Sequence, residues 1–136
     1  MSMQNQNIFP EENAHNPMMN PRRLFGNHGE DVAADYLEQK GYEILVRQYR
    51  SSFGEVDLVC RMDNLYVFVE VKSRNSQAYG YPEESVTKVK RQHLQRVSEA
   101  YLTEHHLFDV DWRVDVIALE FDQDPPNITH FEAIDA

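Results

Sequence analysis

Twelve residues separate Asp57 from Glu70, and Lys72 follows Glu70 at an interval of two. Two carboxylates and an ammonium in that pattern can hold a hard divalent cation and assist hydrolysis at phosphorus, provided the fold gathers them on one surface. The flanking residues alternate clearly enough to expect this. Over Tyr66–Lys72, Val67, Val69 and Val71 form one apolar face, and Tyr66, Phe68, Glu70 and Lys72 form the other. Over Glu55–Arg61, Val56, Leu58 and Cys60 are expected on one side and Glu55, Asp57, Val59 and Arg61 on the other. Met62-Asp63-Asn64-Leu65 reads as a hairpin turn with Asp63-Asn64 as its loop. That loop sets Asp57 opposite Glu70 and Glu55 opposite Lys72, and it also matches apolar face to apolar face. Carboxylates directly opposite each other repel by up to ~1 kcal/mol even when exposed. Mg²⁺, which takes oxygen ligands and keeps waters for chemistry, removes that cost. Lys72 lies roughly 6.5–7 Å along the same face, placed to position or deprotonate a water or to stabilise charge on a phosphate.

Several elements must position these groups. Glu30, Ala33, Ala34 and Leu37 share one stripe of a helix expected over about Leu24–Lys40, and Gly41 follows where a left-handed residue ends a helix. Tyr42–Tyr49 reads as a strand, closed by Arg50-Ser51-Ser52. After the hairpin, a loop over Ser73–Pro82 leads to a second helix from about Glu83 to His105. Val86, Val89, Val97, Ala100 and Tyr101 form its expected core stripe, with Lys88, Arg91, Gln95 and Arg96 on another face. Trp112–Phe121 reads as a strand buried on both sides, and Ile128–Ile134 as a closing edge strand. The order α-β-β-β-α-β-(β) predicts an α/β domain, a mixed sheet flanked by helices over residues 21–136. Residues 1–20, rich in Asn and without apolar period, are expected to form a disordered tail.

Composition bounds the partners. The net charge is −10, which argues against coating nucleic acid by bulk attraction. The charge is uneven, however: Arg22–Ser98 carries 12 basic and 11 acidic residues, whereas Glu99–Ala136 carries 10 acidic residues and only Arg113. A polyanion can therefore approach the central segment. Cys60 is the only cysteine, so no disulfide framework forms, and its place on an apolar face predicts an inert thiol. The apolar runs are too short for a membrane span and the N-terminus lacks a secretory signal, so the expectation is a cytoplasmic protein without membrane contact.

Gly54-Glu55-Val56-Asp57-Leu58 followed by Glu70-Val71-Lys72 resembles the Asp…(Asp/Glu)-x-Lys signature of the PD-(D/E)XK nuclease superfamily. From Gly26 to about Phe121 the chain further resembles the YraN-like family of uncharacterised, predicted endonucleases. The pattern is carried by Gly26-x-x-Gly29-Glu30, Gly41-Tyr42, Val67-Phe68-Val69-Glu70-Val71-Lys72-x-Arg74, Lys90 and Arg113-x-Asp115-Val116. The resemblance implies a restriction-endonuclease-like fold similar to archaeal Holliday-junction resolvases. It implies Mg²⁺ or Mn²⁺ held by Glu30, Asp57 and Glu70, catalysis by Asp57, Glu70 and Lys72, and cleavage of DNA, branched or damaged forms included. By the same analogy a homodimer is implied, since resolvases cut two strands. Where the family has Asn-x-Arg after the first strand, this chain has Gln48-Tyr49-Arg50, a difference expected to touch no metal ligand.

Plainer roles stand beside these. Glu30 is either a further ligand or a partner of the helix dipole near an N-terminus. Lys88, Lys90, Arg91 and Arg96 form a cationic helix face, solvated unless phosphates meet it; with Arg74, the first three are the candidate nucleic-acid contacts. Glu55 is expected in a salt bridge, and Arg113 and Asp115 in structural roles. The alternative function is a non-catalytic scaffold that keeps a nuclease fold for a DNA-processing partner.

Overall fold

The computed structural model describes residues 21–75 and 86–134; the expected tail over residues 1–20 lies outside them. The described elements are α1 (Pro21–Gln39), β1 (Glu43–Ser51), β2 (Gly54–Met62), β3 (Leu65–Arg74), α2 (Lys88–Glu104), β4 (Asp111–Glu120) and β5 (Asn127–Phe131). They build one five-stranded mixed sheet in the order β1-β2-β3-β4-β5, with a helix packed against each face, the α/β architecture expected from the order of elements. Only β3 and β4 pair in parallel, and α2 crosses over between them.

Each helix covers its own core. Ala33 and Leu37 of α1 pack with Leu58, Cys60, Val67, Val69, Ile117 and Leu119. Leu94, Val97 and Tyr101 of α2 pack with Val56, Val59, Phe68, Val114 and Val116. Each fully buried aliphatic side chain contributes roughly 1.5–3 kcal/mol. Gly41 ends α1 at φ +98, the conformation glycine adopts without penalty. Gly29 matters through contact: a Cβ there would run into the Ser73 hydroxyl, so a side chain at that point would require Ser73 to shift where α1 meets β3.

The hairpin register is the expected one along Met62–Leu65, Arg61–Tyr66, Cys60–Val67, Val59–Phe68 and Leu58–Val69. There the ladder stops, and Asp57 and Glu70 lie just past its end rather than as a paired couple. Glu55, expected opposite Lys72, instead pairs with Arg50 on β1, where the two side chains meet at 2.9 Å. The alternation of β2 also breaks. Val56 packs with Val59 on the α2 side, while Leu58 and Cys60 face α1, against the expectation of one shared face. The cause lies on β1: Gln48, at φ +54, stands between Arg47, which bonds Asp31 on α1, and Tyr49, which bonds Glu104 on α2. Two residues that an unbroken strand would point the same way point oppositely, and β2 follows.

Helix α2 begins later than expected, at Lys88 behind the cap Thr87, whose side chain accepts from the Lys90 amide; residues 76–85 lie outside the description. Val89 is 60 % exposed rather than in the core, because the side of α2 that meets the sheet carries Leu94, Val97 and Tyr101. Ser73 and Arg74, expected in a loop, continue β3 and pair with Leu119 and Glu120.

Candidate active site

Where β2 parts from β3, the Asp57 carboxylate replaces the missing ladder bond by accepting from the Val71 amide at 2.7 Å. This holds Asp57 beside Glu70, close enough for the charge of one carboxylate to act on the other. Glu70 is buried, and its Oε2 takes the Lys90 ammonium at 2.7 Å and the Lys72 ammonium at 3.6 Å. Glu30, Asp57, Glu70, Lys72 and Lys90 all line one open cavity of about 720 Å³, with Phe53 and Val89 as its apolar flank.

The electrostatics follow from burial. Desolvation first, and then the neighbouring charge of Glu70, push Asp57 up to about 8; the Val71 amide only partly opposes this. Burial also raises Glu30, against a hydrogen bond from Gln48 and the charge of Arg47. Lys72 is lowered by burial and by the Lys90 charge, which together outweigh Glu70. Burial acts the same way on Lys90, but the hydrogen bond and charge of Glu70 win and its pKa rises.

Asp57, Glu70 and Lys72 are thus brought together, and Glu30 reaches the same cavity. It sits midway along α1, whose first turn carries no acidic residue, so the dipole role does not apply to it. Among the described residues no three His, Cys, Asp or Glu side chains are grouped tightly enough to enclose an ion by themselves. The Gln48 substitution does touch a proposed ligand: its Nε2 donates to Glu30 at 3.3 and 3.4 Å, because the reversal of β1 at that residue turns it towards α1. Lys90, expected among phosphate contacts on a helix face, is part of the acidic site instead. Of the other expected contacts, Lys88 is exposed at the start of α2 and Arg91 is half-buried on it, while Arg74 ends β3; none belongs to the lining of this cavity.

A second acidic group is built differently. Asp115 on β4 is fully buried and accepts from Arg113 Nε at 3.0 Å and from the Ala133 amide at 2.9 Å, with His130 Nε2 at 2.7 Å. Arg113 reaches on to the Tyr42 hydroxyl at 2.6 Å. Burial pushes Asp115 up, but the bonds from His130, Arg113 and Ala133 outweigh it and hold the carboxyl below its ordinary value. The structural role expected for this pair stands, as does that of Cys60, whose thiol burial pushes up to about 12. No helix among the described residues is long and apolar enough to cross a membrane.

Comparison with known proteins agrees with the span of this core. A UPF0102 protein of Chloroherpeton thalassium is 40% identical over 109 residues, covering 80% of this chain and 84% of that one. One from Caldicellulosiruptor saccharolyticus is 44% identical over 99 residues, covering 73% and 83%. Among solved structures, Pyrococcus furiosus SfsA in complex with Ca²⁺ aligns at a TM-score of 0.35 and 15% identity, over 82% of this chain and 63% of that one, a likeness too slight to carry argument. Residues 29–119, from the glycine where α1 meets β3 to the end of β4, match the family described as "Uncharacterised protein family UPF0102", and to that family the chain belongs.

Proposed function

We propose that this protein is a Mg²⁺- or Mn²⁺-dependent endonuclease that hydrolyses DNA phosphodiester bonds, branched or damaged DNA being its substrate class. The observation that carries this reading is a buried carboxylate pair in an open cavity beside Lys72, in which Glu70 meets two ammoniums and Asp57 meets a backbone amide and the second carboxyl. The donor set fits a hard ion: all its donors are carboxylate oxygens, and Mg²⁺ is ordinarily held by one or two carboxylates together with waters and substrate phosphates. Asp57 and Glu70 would hold it, with Glu30 as a third donor on the cavity wall. When bound, such an ion supplies Lewis-acid charge and a water acidified towards neutrality. The Val71 amide keeps the Asp57 carboxylate in place at 2.7 Å. Lys72, whose pKa burial lowers, is placed to orient the attacking water or to meet charge growing on the phosphate.

A panel of single-stranded, duplex, nicked and four-way-junction DNA at graded Mg²⁺ and Mn²⁺ tests this. Asp57→Ala, Glu70→Ala and Lys72→Ala should each lower metal-dependent cleavage by about 10²-fold or more with the fold intact. Undiminished cleavage by either carboxylate variant contradicts the assignment. The Lys90–Glu70 pair favours a second reading, a scaffold whose site is satisfied without metal; such a protein would bind no Mg²⁺ at these carboxylates.

A further inference from the structure

We infer that Lys90 is a resident counter-cation of this site, released when a divalent ion enters and then available to a backbone phosphate of the substrate. Metal and DNA would therefore bind with positive coupling. The inference rests on the metal-dependent reading above and assigns a positioning role to a residue of α2.

Glu70 Oε2 lies between two ammoniums, 2.7 Å from Lys90 and 3.6 Å from Lys72. A dication using that oxygen meets Lys90 first. The two lysines differ in their freedom to leave. The Lys90 side chain is 41 % exposed, that of Lys72 25 %. Lys90 also sits in the first turn of α2, where the positive end of the helix disfavours cations. That turn carries Lys88, Lys90 and Arg91 and no acidic residue, so the placement is favourable only with an anion in front of it. Glu70 is that anion at rest.

The charges support the exchange. With a dication held by the three carboxylates and both ammoniums still present, the site carries one surplus positive charge, which a phosphodiester cancels. Linkage then requires DNA to tighten metal binding and metal to tighten DNA binding by the same factor.

The test uses the full chain and Mn²⁺, with free ion counted by electron paramagnetic resonance, alone and with a hydrolysis-resistant phosphorothioate duplex, and with the duplex-only signal subtracted. Lys90→Met should bind Mn²⁺ about tenfold more tightly than the parent protein when no DNA is present, and the duplex should close that gap. Lys90→Arg, which keeps the charge and guards against a folding artefact, should behave as the parent does. Equal Mn²⁺ affinity in the parent and Lys90→Met, or Lys90→Arg behaving like Lys90→Met, overturns the role of Lys90 and leaves the metal site standing. Absence of Mn²⁺ binding in all three proteins overturns the metal-dependent reading itself.

Discussion

Two aspartates on neighbouring parts of one sheet meet burial in opposite ways. Asp115 is surrounded by Arg113, His130 and the Ala133 amide, and its carboxyl is held below the ordinary range. Asp57 receives one amide and a second carboxyl, and its pKa is pushed up to about 8. Desolvation opposes the charged form in both; only the partners differ. A carboxylate with every lone pair engaged belongs to the structure, here tying β5 and the residues after it to β4. One left short of counter-charge in an open cavity is a candidate binding site.

The largest effect should come from the saturated side. Asp115→Ala leaves Arg113, His130 and a buried amide without their acceptor and should cost about 3–5 kcal/mol, read as a fall in the denaturation midpoint at neutral pH. A loss below about 1 kcal/mol would mean the cluster is not structural in this sense. The site should respond with the opposite sign. Asp57→Asn keeps an oxygen for the Val71 amide and removes the repulsion, so in chelator at pH 8 it should stabilise the protein by roughly 2 kcal/mol, discounted for partial exposure. Destabilisation there to the extent seen for Asp115 would erase the contrast.

The pH dependence sharpens it further. Asp57 titrates near 3.8 when unfolded and near 8 when folded, so the folded chain holds the extra proton between those values. The metal-free protein should therefore lose stability as pH rises through that window, and Asp57→Asn should flatten the slope. Asp115 works in reverse: its contribution is present above 3.8 and is lost as pH falls through its lower folded value. Melting curves from pH 3 to pH 9 in both variants separate the two. The smallest effect is expected at the strand reversal. Gln48→Asn, a residue better suited to φ +54, should gain about 0.5 kcal/mol, and a loss would show that the Gln48–Glu30 hydrogen bond matters more than the backbone.

Much of this was legible in the chain itself. The alternation of Val67, Val69 and Val71 against Phe68 and Glu70, with the Asp63-Asn64 turn, is enough to place β2 against β3 in register, because a slip by one residue would expose an apolar face. What escaped is what the period-of-two rule cannot carry. The reversal at Gln48 has no compositional signal beyond a departure from the family's asparagine, yet it moves Val56 to the other core and brings Gln48 to Glu30. Val97 and Tyr101 of the expected α2 stripe are in the core, but Val89 lies on another side of the helix, and Leu94, at i−3 from Val97, takes part in the core instead. Lys90 was hidden for a different reason. Its partner Glu70 lies twenty positions back on another element, a distance that only the packing of α2 on the sheet closes.

The claim that Asp57 and Glu70 await a dication is tested most directly by calorimetric titration of Mg²⁺ at pH 7 in buffers of different ionisation enthalpy. An ion that draws on Asp57 must displace its proton, so binding should release about one proton per ion, falling towards none above pH 9 and absent in Asp57→Asn. Binding without proton release, or no binding at all, would contradict the account.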